Sequence, residues 1–284
     1  MPNDILQAIL DRVPSDCLYH YTTQSGFMGI IESEEIWATH TQYLNDQQEF
    51  LAALSLVKSV IAERQARSAD DKEQEVLDGM MSATDGNESI NVCVASFSSV
   101  RDSLSQWRAY SDTSSGFAIG FSGTYLREIA NRLGFYLVPC IYDPEDQLQL
   151  VNALVDFAVS ENLKLRATGE IEDYGPGGIL VPYINRYAPI IKDSAFNEED
   201  EWRLISRPVS CRGERFAFRK GSSMIIPYYK IPLTNANGEF LTEDIIVGPC
   251  PYPKEALSAA TSLVVSYGHK KFTLTRSSIP LRAL

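Results

Sequence analysis

The chain has 284 residues, 44% of them hydrophobic and 10% aromatic against 22% charged, which is ample material for a buried core and excludes a largely disordered polypeptide. Its 25 Lys and Arg against 37 Asp and Glu leave a balance of −12 at pH 7. The overall field therefore repels nucleic acid and anionic membrane, and a polyanionic partner needs a local basic patch.

In chain order, the β-prone stretch Leu18–Thr22 (LYHYT) leads through Ser25 and Gly26 into a helix carried by Phe27, Ile30 and Ile31. A short strand is expected over Ile36–Thr39. Asn45-Asp46 precedes a helix from about Gln47 to beyond Arg64, with Phe50, Leu54, Val57 and Ile61 on one face. Asp46 with Glu49 three residues on has the form of a capping box. The polar segment Arg67–Glu75 extends this helix or bends in solvent, and Asp85-Gly86 marks a turn before a strand over Ile90–Phe97. A short helix over Asp102–Tyr110, a strand over Gly116–Phe121 and a helix over Thr124–Leu133 closed by Gly134 come next. A strand over Phe135–Tyr142 is followed by a helix from about Pro144 to Leu165, the Gly/Pro loop 174–178 and a helix over Val181–Lys192. Strands are then expected over Glu201–Ser206, Phe216–Arg219, Ser223–Ile231 and Asp244–Val247. The helix Lys254–Tyr267 and the strand Lys271–Thr275 close the chain.

This order is mixed α+β rather than a strict βαβ series. With no internal repeat and no sharp composition shift, it reads as a single domain over 1–284, with helical insertions at about 46–80 and 144–192. Five widely spaced cysteines without a C-x-x-C pair fit a reducing cytoplasm. The opening MPNDILQAILDRVP lacks a basic n-region, and no apolar run approaches the ~18 residues of a membrane span, so a cytoplasmic, non-membrane location is expected.

Several chemistries fail on spacing. Gly116, Gly120 and Gly123 do not make G-x-G-x-x-G, and neither a phosphate-binding G-x-x-x-x-G-K-[ST] nor a G-x-S-x-G elbow occurs. Cys17-x-x-His20 lacks the second pair that a four-coordinate zinc requires, so no metal is expected. Arg212, Arg215, Arg219 and Lys220 form the main exception to the acidic balance, either a phosphate-binding cluster or a solvated hairpin.

His20 within LYHYT, Tyr110 at the end of QWRAY, and Glu199-x-Glu201 opening EWRLIS are more suggestive together than apart. Extended geometry would put Glu199, Glu201 and Arg203 on one strand face, with Trp202 and Leu204 turned to the core. Cleavage of a nicotinamide–ribose bond passes through an oxocarbenium-like state that a carboxylate stabilises, while an aromatic ring stacks on the departing base and a histidine holds a ribose. Taken singly, each residue also has an ordinary reading: a satisfied histidine, a packed tyrosine, a surface ion-pair strand.

The stretches LYHYT with the Gly and Ile beyond it, Tyr43-Leu44-Asn45-Asp46 with Glu49-Phe50, VASFS, LSQWRAYSD, GFAIGF, Glu199-Asp200-Glu201-Trp202-Arg203 and the closing RSSIPLR resemble the bacterial family catalogued as domain of unknown function 2971, over about Leu18 to Arg282. Their His…Tyr…Glu order is in turn similar to ADP-ribosyltransferases. That second resemblance implies a central, split, antiparallel-rich sheet and NAD as substrate. It implies Glu201 as catalytic carboxylate with Glu199 as the first acid of an E-x-E pair, and a cofactor-binding set of His20, Tyr110 and Arg203, with Tyr21 competing for the stacking role. No S-T-S motif is present; Ser96 and Ser98 give a partial echo. The implied protein is an NAD-dependent ADP-ribosyltransferase, a toxin or phage-defence effector. It modifies a macromolecular acceptor, protein or nucleic acid, and has an antitoxin or partner protein. The alternative is a non-catalytic interaction or sensor module of the same family.

Overall fold

The computed structural model describes residues 8–14, 16–44, 47–85, 91–111, 116–169, 179–269 and 272–280. In chain order the elements are β1 (Cys17–Thr23), α1 (Gln24–Ser33), β2 (Glu35–His40), α2 (Gln47–Arg67), α3 (Asp71–Asp85), β3 (Cys93–Ser98), α4 (Leu104–Tyr110), β4 (Gly116–Ser122), α5 (Gly123–Leu133) and β5 (Tyr136–Pro139). They continue with α6 (Pro144–Thr168), α7 (Leu180–Tyr187), β6 (Glu201–Ile205), β7 (Phe216–Lys220), β8 (Ile225–Pro232), β9 (Asp244–Val247), α8 (Pro253–Ser266) and β10 (Thr273–Arg276). The fold class is α+β, as the element order predicts.

Local chemistry sets the element ends. Thr23 Oγ1 accepts the Gly26 amide at the start of α1, where any Cβ on Gly26 would lie 2.0 Å from Thr22 Oγ1. Asp143 caps α6 through the Glu145 and Asp146 amides, and Gly134 closes α5 at φ 66°. The Arg67–Glu75 segment resolves into a bend and a new helix: α2 stops at Arg67 and Asp70 Oδ1 accepts the Lys72 and Glu73 amides to start α3. The helix expected over Val181–Lys192 ends at Tyr187, because Pro189 has no amide to continue the ladder, and a short 3₁₀ turn Ala188–Ile190 follows. The Asn45-Asp46 cap and the Gly/Pro loop 174–178 lie outside the described residues.

All strands join one sheet, ordered β10-β9-β4-β1-β3-β2-β8-β7, with β6 also paired to β3 and β5 to β6. Every pairing between these strands is antiparallel except β9 with β10. The sheet forks at β3. Along one edge β3 pairs with β6 from Val94 to Ser98, while its other edge meets β1 only at Ser98 and β2 only at Cys93 and Val94. β1 and β2 thus diverge around the middle of β3.

One face of the sheet packs on α1, α5 and α8 through Leu18, Phe27, Ile31, Phe97, Leu126 and Trp202. Behind β3, β5 and β6 the opposite face packs on α2, α3, α6 and α7, the two helical stretches that the sequence placed at about 46–80 and 144–192. A small aromatic cluster, Tyr19, Tyr21 and Trp107, seals α4 against β1 and β4. Among the described residues no helix is long and apolar enough to cross a membrane.

Candidate functional site

The fork is where a polar side chain must complete what a strand would otherwise supply. His20 does so: its Nδ1 lies 2.9 Å from the Ser96 carbonyl oxygen on β3. Because a carbonyl only accepts, Nδ1 carries the proton and donates. Burial pushes the His20 pKa below its usual value, only partly opposed by that hydrogen bond, so the neutral ring with Nε2 as acceptor is favoured. A small pocket of about 40 Å³ lies here, with His20, Tyr21, Tyr110, Glu199 and Glu201 among its walls. It adjoins an open cleft of about 470 Å³ running between β1 and β2, where His20, Tyr21, Trp37, Thr39, Tyr110 and Arg219 are among the lining residues. His20 and Glu201, nearly the length of a domain apart in sequence, are therefore brought to one cavity, on strands that flank β3.

The two tyrosines are separated by their surroundings. Tyr21 is buried, donates its hydroxyl to the Val100 carbonyl at 2.7 Å, accepts the Ser103 amide at 3.1 Å, and meets Trp107 edge-on at 4.7 Å. It is a packing residue of the α4 cluster. Both tyrosines border the two cavities, but Tyr110, at the end of α4, is half-buried where Tyr21 is buried with its hydroxyl engaged, which leaves the Tyr110 ring the better placed to receive a ligand.

The E-x-E segment differs from the extended surface strand read from sequence. Glu199 ends a 3₁₀ helix, Asp200 takes a left-handed backbone at φ 41°, and the strand begins at Glu201. The turn is held by Ser98 Oγ donating to the Glu199 carbonyl at 2.6 Å and the Ser99 amide donating to the Asp200 carbonyl at 3.1 Å. The acids and Arg203 are buried rather than solvated. Lys192 Nζ sits 2.6 Å from both Glu199 Oε2 and Glu201 Oε2, and Arg203 grips Glu201 with Nε to Oε1 at 2.7 Å and a second nitrogen to Oε2 at 2.9 Å. Arg203 also donates to the Pro189 carbonyl and lies 3.6 Å from Glu49 on α2. Burial alone would raise the Glu201 carboxyl, but Arg203 and Lys192 overcome it and hold it at about 2. Trp202 and Leu204 face the core, as alternation requires.

Arg203, expected among the cofactor-binding residues, has its guanidinium directed to Glu201, Pro189 and Glu49 instead. Glu199 and Glu201 are among the residues that wall the pocket, whereas Lys192 and Arg203, which hold their carboxylates, are not. Sequence reasoning missed Lys192. A single lysine directly after the apolar run Ala188-Pro189-Ile190-Ile191 was the available signal, since a lysine there is either exposed by a turn or paired in the interior. Ser96 contributes through its backbone, which no side-chain motif records.

A second polar knot fixes α4. Asp102 accepts Trp107 Nε1 and Ser277 Oγ, both at 2.7 Å, and the Ser278 amide at 2.8 Å. Burial would raise its carboxyl, but these donors from Ser277, Trp107 and Ser278 hold it below the usual range. The closing Arg276-Ser277-Ser278 stretch is thus tied to the helix that ends in Tyr110. Among the described residues no group of three or more His, Cys, Asp or Glu is arranged to hold a metal ion.

Residues 106–204 match the family model described as Protein of unknown function (DUF2971). The DUF2971 span runs from Gln106 in the pocket wall to Leu204 on β6, and it supports the family resemblance over that stretch rather than from Leu18 to Arg282. It contains Tyr110, Lys192, Glu199 and Glu201 but not His20 or the β7–β8 hairpin. Searches of curated proteins and of solved structures found no match.

Proposed function

We propose that the chain is an NAD-dependent ADP-ribosyltransferase of the bacterial cytoplasm, in the role of a toxin or phage-defence effector with a macromolecular acceptor and an antitoxin or other protein partner. The observation that carries this reading is the convergence of His20, Tyr110, Glu199 and Glu201 on one pocket at the fork of the sheet. Neutral His20, held by Ser96, offers Nε2 to a ribose hydroxyl, and the Tyr110 ring stacks on the nicotinamide. The glycosidic C–N bond breaks with its electron pair leaving on neutral nicotinamide. The cationic ribosyl carbon is stabilised by the carboxylates of Glu199 and Glu201, and an acceptor nucleophile then bonds to that carbon and gives up its proton to a carboxylate or water.

A second reading, the non-catalytic module, is favoured by one observation: both oxygens of Glu201 are taken up by Arg203 and Lys192, as in a purely structural ion-pair knot. The two are separated by incubating the purified protein with cell lysate and NAD labelled in its adenylate half, following macromolecular label and free nicotinamide together. The transferase gives both products, and Glu199→Gln lowers turnover by ~10²–10³ with little change in NAD affinity. A module gives neither. Glu199 is the better test position, because Glu201→Gln would strip partners from two buried cations and report mainly on folding.

A further inference from the structure

The β7–β8 hairpin and β2 carry a feature that the transfer chemistry does not use. Segment 207–232 holds six Arg and Lys residues against one Glu, a balance of +5 within a chain whose total is −12. The strand register puts Trp37 opposite Lys230, and Thr39 opposite Tyr228, which is itself opposite Ala217; Ile226 is opposite Arg219. Residues paired in this way share a face. Trp37, Lys230, Tyr228 and Arg219 therefore lie together, and the 3.1 Å bond from Arg219 to Thr39 Oγ1 confirms the grouping. Arg215, the residue before β7, continues the face: its guanidinium lies 3.8 Å from Glu35, two residues from Trp37 on β2. The Trp37 ring stacks on Tyr228 at 4.4 Å and 27°, so one side of the indole rests on the protein, and the residue remains 48% exposed. Trp37, Thr39 and Arg219 also line the cleft that leads to His20 and Tyr110.

We propose that this face docks single-stranded nucleic acid and supplies it as the acceptor; the acceptor assignment rests on the transferase reading, whereas the binding itself does not. Charge complementarity and the aromatic platform select this occupant. Arg215, Arg219 and Lys230 attract a phosphodiester backbone against the field of the rest of the chain, and a braced, exposed indole flanked by cations stacks an unpaired base. A duplex keeps its base faces hidden within the stack, and an acidic peptide lacks the regular alternation of phosphate charge and flat ring that a single strand sets against the cations and the indole. Continuity with the cleft lets a base or sugar of the docked strand reach the pocket that holds Tyr110 and Glu199.

The test uses a fluorescein-labelled oligo-dT of about 15 nucleotides, near the upper end of single-strand site sizes, followed by anisotropy and by tryptophan fluorescence. Of the three tryptophans, Trp107 and Trp202 are buried at 1% and 7% exposure, so quenching by the strand reports on Trp37. The expected result is saturable binding, at least ~tenfold tighter than to a duplex of the same length, with tryptophan quenching. Trp37→Ala weakens binding ~tenfold or more, and Trp37→Phe keeps it within ~threefold. Arg219→Ala and Lys230→Ala each flatten the salt dependence by ~0.7 in the log–log slope. No saturable binding at low salt, equal binding of duplex, indifference to Trp37→Ala, or Trp37-dependent binding to anionic vesicles in place of the oligonucleotide overturns the docking surface. With labelled NAD added, label on the oligonucleotide supports the acceptor assignment, and nicotinamide release with label only on protein overturns it. Absence of any nicotinamide release bears on the transferase reading instead and leaves the binding result to stand on its own.

Discussion

The two ends of the cleft use charge in opposite ways. At the inner end, Lys192, Arg203, Glu201 and Glu199 satisfy one another almost completely, with distances of 2.6–2.9 Å and little exposure. At the outer end, Arg215, Arg219 and Lys230 sit on a strand face beside an indole that is half in solvent. Burial makes the inner charges obligatory partners, since an ion left alone there loses its hydration without compensation. Exposure makes the outer ones nearly neutral to folding and available to a ligand. Charged residues at the two ends look alike in sequence and differ in what their removal costs.

The largest expected effect breaks the inner end. Glu201→Gln leaves Lys192 and Arg203 short of counter-charge and is expected to destabilise by about 3–5 kcal/mol in denaturant unfolding, against the ~0–1 kcal/mol of a surface pair. A loss under 1 kcal/mol would show that water reaches the knot. Next comes the α4 clamp: Asp102→Ala removes the acceptor of Trp107 Nε1, Ser277 and Ser278 and is expected to cost about 1–3 kcal/mol. If α4 positions Tyr110, the same variant weakens NAD binding without touching the ligand.

A pH series sharpens the comparison without mutation. His20 and His40 have pKa values lowered by burial, so the unfolded chain takes up protons that the folded one resists. Stability is therefore full above the ordinary histidine value near 6.5 and declines as pH falls below it. The depressed Glu201 carboxyl adds a second decline, from about 4.5 towards its folded value of about 2. Urea midpoints from pH 8 to 3 are expected to show both limbs, with the first one smaller in His20→Gln. The smallest effect belongs to the outer end: Arg219→Ala is expected to change stability by less than about 0.5 kcal/mol and Trp37→Ala, which gives up its stack on Tyr228, by about 1–2 kcal/mol, and a larger loss in Arg219→Ala would reassign that face to the core of the fold.

Much of the fold was legible because periodicity and caps report local physics. Gly134 and Pro144 end and start helices where their backbone preferences require, and Asp244–Val247 is a strand with the predicted bounds. The fork was implied only by resemblance, since it arises from pairings between β1, β2 and β3 that no single segment encodes. His20, Tyr110, Glu199 and Glu201 were singled out by residue type and order, and the fold brings them to one cavity. Their environment was not legible. Burial of Glu201 and Arg203 depends on Lys192 and on Glu49, which approach from the link between two 3₁₀ segments and from a helix far off in sequence. Tyr21 and Tyr110 were indistinguishable until Trp107, Val100 and Ser103 were seen to enclose one of them.

The central claim is that the pocket at the fork receives a nicotinamide dinucleotide, and a calorimetric titration of the purified protein with NAD tests it most directly. The expected result is a saturable one-to-one isotherm, weakened ~tenfold or more in Tyr110→Ala under conditions where both proteins are fully folded, since the ring also packs on the Tyr19, Tyr21 and Trp107 cluster. An absence of saturable heat, or identical isotherms for the two proteins, would contradict it.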